Sequence, residues 1–293
     1  MGYRTAVGTI ALLLGTPGFA AELFYMDHDS LTGQYQGAVG PLVMSGEIIP
    51  GDYERLLSKI IDDRDRFLAQ NALILASDGG DVTEAIKIAT LVRSLFVAVI
   101  VEPLTGRCVS ACFFIYAAAA QREADGDRLI GINRPYLATD AQAAAPRTGA
   151  EILDGKSARQ VRAFLQDNAV PGYLIDEMFR HASDDAYWLS ADDEKTLGLR
   201  SPAFERYLAL NCGWSNTLEP DVLAHKRPLE DLTQVLKCRA RATQDGARQA
   251  LILAQKERSG GDADRGKSAA PKRQAPSITD GPAVSAPPRS ASE

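Results

Sequence analysis

The sequence predicts an α/β fold in which helices cover a parallel sheet. Apolar runs at residues 73–75 (Leu-Ile-Leu) and 97–101 (Val-Ala-Val-Ile-Val) are typical of strands buried on both faces. The stretch between them repeats apolar residues at helical spacing, and a strand, helix and strand in this order form a right-handed crossover between parallel strands. The same order follows, with an apolar helix predicted over 110–120 and a strand over 128–132.

Shorter elements precede this core. Residues 22–40 are polar and predicted to be irregular, whereas residues 41–70 predict a short strand, a glycine turn and an amphipathic helix. The helix after the first buried strand begins at Asp81, and Glu84 three residues later completes the pattern of a capping box.

The region after residue 132 predicts a loop followed by helices. Residues 134–148 are polar and predict a surface loop or lid. Helices are expected near 149–168 and 171–182. A short helix is expected between Ser190, a typical N-cap, and Gly198, a typical helix end.

The two ends of the chain carry features of processing and disorder. Residues 1–21 combine one arginine, an apolar stretch and small residues, the pattern of a cleaved secretory signal peptide; a buried helix and an uncleaved anchor are the alternatives. Residues 259–293 are rich in Pro, Gly, Ser and Ala and predict a disordered tail. Between them we expect one domain over 41–205 and a helical appendage over 206–258. A cleaved signal peptide implies a periplasmic or secreted protein.

Composition excludes several functional classes. The chain has 293 residues, of which 45% are hydrophobic and 24% charged, an ordinary globular balance. Its formal net charge of −6 supplies no broad basic field, so nucleic acid is not an expected partner. No segment after the signal peptide reaches the roughly 18 consecutive apolar residues of a membrane helix. We expect no cofactor.

The four cysteines are predicted to form disulfides, because export takes the chain to an oxidising compartment. Four cysteines allow three pairings. Proximity in the sequence favours Cys108 with Cys112 and Cys212 with Cys238. A zinc site is the alternative, but neither the cysteine spacing nor the three histidines match zinc-ligand patterns, so no metal is expected.

Ser110 and a double glycine are predicted to meet in space. Each follows a predicted strand and precedes a helix, the edge at which open α/β sheets bind ligands. Gly79 and Gly80 allow bare backbone to approach a substrate, and the Ala111 N–H lies at the start of a helix. A serine flanked by such donors is suited to acyl transfer. The alternative is that Ser110 only caps its helix.

Three blocks of the sequence, ASDGGDV, RCVSACFFIYAAAA and LIGINRPY, together resemble the proteolytic subunit of Clp protease and its crotonase-like superfold. The resemblance covers roughly residues 40–200, and the cysteines around the serine resemble an exported bacterial group. The resemblance to the Clp protease subunit implies a spiral of β-β-α units and a nucleophilic Ser110. It also implies an oxyanion hole formed by the amides of Gly80 and Ala111, with Gly79 as a neighbouring member. It also implies self-association, since such proteins commonly form rings or trimers.

The chain departs from this pattern at two positions of the catalytic triad. The resemblance implies a histidine where the chain has Asn133, and a neutral amide cannot accept the serine proton near neutral pH. It implies an acid at Ala186, for which Asp185 and Asp184 are displaced candidates. General-base catalysis contributes roughly 10²–10⁴-fold, so the conventional mechanism is predicted to be crippled.

Other residues are alternative bases. Lys156 lies on a predicted helix downstream and is the candidate for a serine–lysine dyad, which requires a desolvated lysine; a solvated surface lysine is the other interpretation. His181 is a second candidate, although a histidine at a helix C-terminus commonly interacts with the helix dipole. His28 and His225 lie outside the resembling region and receive no role.

Three biochemical functions remain open at this point, beside a purely structural or envelope-associated role in which the disordered tail is a tether. The first is a catalytically impaired peptidase homologue that binds polypeptide, and the second is an active exported serine peptidase that uses Ser110 and Lys156. The third is crotonase-type chemistry on an acyl-thioester. Export disfavours the third function, because acyl-CoA is a cytosolic substrate.

Overall fold

The computed structural model describes residues 20–26, 40–135, 155–182 and 185–267, with side chains as far as 256. Nearly all of the predicted signal peptide and of the 134–148 loop lie outside these residues, as do Asp184, His28 and residues 268–293. The chain divides into two units, residues 1–253 and 254–293. The described part of the second unit is the C-terminal end of the last helix.

The larger sheet has five strands within the described residues, in the order β1-β2-β3-β4-β6. Its strands are β1 (Glu22–Tyr25), β2 (Leu42–Ser45), β3 (Ala72–Ala76), β4 (Ala98–Val101) and β6 (Gln121–Ala124). From β2 to β6 the strands are parallel, and β1 is an antiparallel edge strand. The fold is therefore mixed α/β with a parallel sheet core.

A second sheet of three short strands lies beside it, in the order β5-β7-β8. Its strands are β5 (Cys108–Val109), β7 (Ile130–Ile132) and β8 (Tyr187–Trp188). β5 and β7 are parallel, and β7 and β8 are antiparallel with Ile132 opposite Tyr187. A bridge between Ser77 and Cys108 connects β3 of the larger sheet to β5 of the smaller one.

The helices cover the sheets and build the C-terminal region. They are α1 (Asp52–Asp62), α2 (Arg64–Gln70), α3 (Val82–Ser94), α4 (Cys112–Ala118), α5 (Gly155–Asp167), α6 (Gly172–Arg180), α7 (Ala191–Leu197), α8 (Pro202–Cys212), α9 (Leu218–Leu223) and α10 (Leu229–Lys267). Every residue of α4 is buried, which agrees with its uniformly apolar sequence.

Helix ends follow the predicted signals closely. The Asp81 side chain accepts a hydrogen bond from the Glu84 N–H and caps α3. Glu84 does not complete the capping box, because its buried carboxylate accepts hydrogen bonds from the N–H groups of Gly51 and Tyr53. Ser190 caps α7 in a full capping box with Asp193. Glu84 therefore connects α3 to α1 instead of closing its own helix.

Three strands differ from the sequence-based expectation. Residues 22–25, expected to be irregular, form β1 because they pair with β2. The predicted strand over 128–132 shortens to β7 and joins the smaller sheet, whereas the neighbour of β4 is β6. The β6 sequence, Gln-Arg-Glu-Ala, carries no strand pattern. Pairing with β4 and the bonds of buried Arg122 to the carbonyls of Leu197 and Asn168 hold it in place.

The C-terminal helices pack through an apolar cluster. Its buried residues are Ala120, Phe204, Leu208, Trp214, Leu218 and Val222, with Phe96, Tyr207, Leu232 and Val235 packed against them. The expected boundary at 205 falls inside α8, and α10 extends to Lys267, past the expected start of the tail at 259. None of the helices described is long and apolar enough to cross a membrane.

Candidate active site

The segment 108–112, called the serine turn below, connects β5 to α4 and carries Ser110 at its centre. Ser110 has a backbone φ of +56°, a left-handed conformation that is rare for residues other than glycine. Its N–H donates to the Gly131 carbonyl at 3.0 Å, and its carbonyl accepts from the Phe113 N–H at 3.0 Å. A serine on a strained strand-to-helix turn is the geometry of a nucleophile elbow.

The segment 77–81, called the glycine turn, lies directly against the serine turn. A Cβ built on Gly79 would lie 2.7 Å from the Ser110 Cβ and 3.2 Å from the Ala111 nitrogen. Gly79 also has a φ of +112°. Both the space and the backbone conformation therefore require glycine, and the two turns are in contact.

Gly80 is held by the chain that extends beyond β2. The Ile48 N–H donates to the Gly79 carbonyl at 2.9 Å, and the Asp81 N–H donates to the Ile48 carbonyl at 2.8 Å. A Cβ on Gly80 would lie 2.1 Å from the Ile48 carbonyl oxygen, and the Gly80 φ is +138°. No other residue type fits this position without moving the backbone.

Two backbone N–H groups, one in the glycine turn and one in the serine turn, have no internal partner among the described residues. Within the described ranges, neither the Gly80 N–H nor the Ala111 N–H has a hydrogen-bond acceptor. The Ala111 N–H precedes α4 and carries the partial positive charge of a helix start. Two such donors stabilise the oxyanion of a tetrahedral intermediate when they converge on one oxygen.

Ser77 joins the two turns, a role that sequence reasoning missed. Its hydroxyl accepts from the Gly79 N–H at 3.1 Å. Its carbonyl accepts from the Val109 N–H at 2.9 Å, and its N–H donates to the Arg107 carbonyl at 2.7 Å. A serine two residues before a glycine is a turn signal that could have indicated the first of these bonds.

Both predicted disulfides are confirmed. Cys108 and Cys112 are bonded across the serine turn, with Cα atoms 5.3 Å apart, and both are fully buried. Cys212 and Cys238 join the end of α8 to α10. The described residues thus include all four cysteines, and none is free.

The two triad positions named by the resemblance lie at neighbouring ends of β7 and β8. These strands pair Gly131 with Trp188 and Ile132 with Tyr187; Asn133 directly follows β7, and Ala186 directly precedes β8. Asn133 is buried, at 5% exposure. An amide and a methyl group therefore stand where the resemblance implies an imidazole and a carboxylate. No described residue accepts a hydrogen bond from the Ser110 hydroxyl.

The displaced acid Asp185 is bound to His181 rather than to Asn133. The His181 Nδ1 lies 3.0 Å from the Asp185 carboxylate, and its Nε2 lies 3.5 Å from the Glu177 carboxylate. The imidazole also contacts the Tyr187 ring. Both ring nitrogens are thus engaged by carboxylates, and no contact among the described residues joins His181 to Ser110.

The chain matches no family model, and no curated protein matches it. Solved structures do resemble it. A serine-to-alanine mutant of the membrane-bound stomatin-specific protease 1510-N matches at 14% identity over 59% of this chain and 83% of that chain, with a TM-score of 0.39. ClpP1 from Listeria monocytogenes matches at 17% identity over 55% of this chain and 88% of that chain, with a TM-score of 0.37. Both likenesses are distant.

Lys156, the alternative base, is exposed in the first turn of α5. An exposed ammonium is solvated, whereas a serine–lysine dyad requires a lysine that is desolvated against its serine. His225, assigned no role from the sequence, lies just after α9 in the C-terminal region. The structure therefore places neither residue in the environment of a general base.

The buried carboxylate of Asp193 binds the Tyr187 side chain of β8. Asp193 accepts hydrogen bonds from the hydroxyls of Tyr173, Tyr187 and Ser190 and from the Ser190 N–H. Burial alone would raise the pKa of Asp193, but the bonds from Ser190 and the tyrosines outweigh it and lower that pKa below its ordinary value. The capping pattern predicted Ser190, whereas the two tyrosines gave no sequence signal.

A cavity of about 650 Å³ adjoins the glycine turn. The ends of β2 and β3, the loop after β4 and the loop before β7 form its walls. Gly79, which lies against Ser110, is one of the lining residues, whereas Ser110 itself is not. Its charged lining residues are Glu47, Asp78, Arg107 and Arg128.

Proposed function

We propose that this protein is an exported homologue of ClpP-like serine peptidases that binds polypeptide and has lost the conventional proton-transfer residues. The observation that carries the proposal is the contact between the serine turn and the glycine turn, with the Gly80 and Ala111 N–H groups left without acceptors among the described residues. Such donors recognise a peptide carbonyl oxygen. They do so whether or not a base activates the serine.

The loss of catalysis is inferred from Asn133, which directly follows β7, and Ala186, which directly precedes β8. The Asn133 amide cannot take a proton from Ser110 near neutral pH. The Ala186 methyl cannot orient a base. The alternative, a peptidase that uses Lys156, is disfavoured by the exposure of that side chain. Acyl-thioester chemistry is disfavoured by the proposed export.

Export is supported by the two disulfides, since bonds of this kind persist mainly in oxidising compartments. We place the protein in the periplasm or outside the cell, after removal of residues 1–21. We further propose one ClpP-like domain over 41–205 followed by a helical appendage. We also propose that the chain self-associates, because the family that its sequence resembles commonly forms rings or trimers.

The first experiment is covalent labelling of the purified oxidised protein by a fluorophosphonate probe, located by mass spectrometry. We expect no labelling of Ser110 between neutral and alkaline pH, with Ser110→Ala as the matched blank. Labelling that disappears in both Ser110→Ala and Lys156→Ala would establish an active serine–lysine peptidase and would contradict the proposed impairment.

The second experiment measures binding of fluorescein-labelled, extended peptides by fluorescence anisotropy. We expect saturable binding that weakens when Gly79→Val fills the space beside Ser110, because a side chain there collides with the serine turn. Circular dichroism checks that this variant is folded. If folded wild-type protein binds no peptide from a diverse set, the proposal of polypeptide binding is wrong.

A further inference from the structure

Two arginines lie beside one tryptophan ring at the cavity next to the glycine turn. The guanidinium carbons of Arg107 and Arg128 each lie 5.6 Å from the centre of the Trp188 ring. The ring itself packs over Gly131, where an added Cβ would lie 3.2 Å from it. Both arginines line the cavity. Trp188 therefore lies against two cations at the wall of a cavity that Gly79 of the glycine turn also lines.

The two arginines differ in how their charges are compensated. The Arg107 Nε donates to the Asp78 carboxylate at 2.7 Å, so that charge is already matched. Arg128, in contrast, has no carboxylate within 4.0 Å among the described residues. It also adopts a φ of +57°, a conformation that costs free energy for any residue other than glycine. The strained turn presents a cation that the described residues do not use in an ion pair.

We propose that this cavity binds one carboxylate group of the polypeptide ligand, with Arg128 as the principal anchor and Arg107 as a second donor. The proposal rests on the polypeptide binding proposed above and names its specificity. A guanidinium presents paired N–H donors that match the two oxygens of a carboxylate.

The carboxylate could belong to an aspartate or glutamate side chain or to the C-terminus of the ligand. The two sources share one chemistry and are distinguished by peptide design. The probes are fluorescein-labelled hexapeptides: an all-alanine peptide with a C-terminal amide, the same peptide with a free C-terminus, and amidated peptides with one glutamate, glutamine or lysine at the third position.

The test compares dissociation constants of these peptides, measured by anisotropy, for wild type, Arg128→Gln and Arg128→Glu. We expect one of the carboxylate peptides to bind wild type about tenfold more tightly than its neutral counterpart, the size of a charge-assisted hydrogen bond at a partly exposed site. Arg128→Gln should abolish this preference, and Arg128→Glu should transfer it to the lysine peptide. Higher salt should weaken the preference.

Arg241→Gln is the matched control, because it removes the same charge from an exposed position on α10 that does not line the cavity. It should leave the carboxylate preference unchanged. The proposed carboxylate site is wrong if all peptides bind wild type equally, or if Arg128→Gln still prefers carboxylate peptides to neutral ones. The proposal of polypeptide binding is unaffected by either result.

If no peptide binds, polypeptide binding fails and the cavity is tested alone. N-acetylglutamate amide and N-acetylalanine are then titrated while the Trp188 indole N–H resonance is followed by NMR, with Trp188→Phe to assign it. A shift that Arg128→Gln removes supports carboxylate recognition by the cavity itself. An unchanged resonance with both compounds overturns it.

Discussion

The two halves of the candidate site differ in how they are built. The first half is backbone: the serine turn and the glycine turn touch, and the N–H groups of Gly80 and Ala111 have no acceptor among the described residues. The second half is Asn133 and Ala186, at neighbouring ends of β7 and β8, where the resemblance implies a base and an acid that act through their side chains. We propose that the first half is retained in this protein while the proton-transfer groups of the second half are lost.

The physical reason is that the first half depends on backbone geometry, whereas the second half depends on the identity of two side chains. The N–H groups of the first half are positioned by strand pairing, glycine conformations and the Ser77 bonds, all of which the fold itself needs. The second half depends on single functional groups that contribute little to folding. One substitution can remove a base without disturbing the register that positions it.

The largest expected effect comes from rebuilding the second half. The double variant Asn133→His, Ala186→Asp introduces the imidazole and the carboxylate that the resemblance implies at the neighbouring ends of β7 and β8. We expect the rate of fluorophosphonate labelling at Ser110 to rise by about 10²-fold or more, the lower range of general-base catalysis. Asn133→Gln with Ala186→Asn is the isosteric control without a base. Equal labelling of both variants would show that these positions do not form a triad.

The second effect comes from breaking the first half. Gly80→Ala forces a methyl group toward the Ile48 carbonyl oxygen, 2.1 Å from the ideal Cβ position. We expect the free energy of unfolding, measured by urea denaturation, to fall by about 4 kcal/mol.

Gly51→Ala separates collision from backbone strain. Gly51 has a φ of +99° but no atom within 4 Å of its Cβ position, so its variant should lose only about 1 kcal/mol. Similar losses for both variants would mean that the packing of the glycine turn against Ile48 is not tight.

The third effect separates stability from site geometry. Replacing Cys212 and Cys238 by serine opens a loop of sequence separation 26 and should cost about 3.5 kcal/mol, whereas replacing Cys108 and Cys112 opens a separation of 4 and should cost about 2 kcal/mol. Only the loss of the Cys108–Cys112 disulfide should weaken peptide binding, because this disulfide spans the serine turn. Weaker peptide binding after loss of the Cys212–Cys238 disulfide would contradict this prediction.

The last effect concerns the hydrogen bonds that Asp193 accepts from Tyr187 of β8 and from its other neighbours. Asp193→Asn removes a carboxylate that accepts four hydrogen bonds, and we expect a loss of about 2 kcal/mol at neutral pH. The pKa of Asp193 is lowered in the folded state, so its stabilisation is present above the ordinary carboxyl range and is lost as pH falls through the lowered value. Denaturation at several pH values should show the difference between wild type and variant shrinking below about pH 4. A constant difference would exclude the titration of Asp193 as its source.

The sequence predicted those elements whose signals are local. Buried strands β3 and β4, the cap of α3 at Asp81 and the capping of α7 at Ser190 all follow from apolar runs and cap residues a few positions apart. The disulfides followed from proximity along the chain. β6 could not be predicted in this way, because a strand of Gln-Arg-Glu-Ala exists only through its pairing with β4 and the buried bonds of Arg122.

For the site, the sequence by itself determined the order of the chemical groups: a glycine turn, then a serine between cysteines, then Asn133 after a short apolar strand. Tertiary structure decided the surroundings of these groups. It brought the glycine turn against the serine turn, left Lys156 exposed and set Arg128 beside Trp188. These relations depend on residues that are distant in the chain, and only the folded backbone determines them.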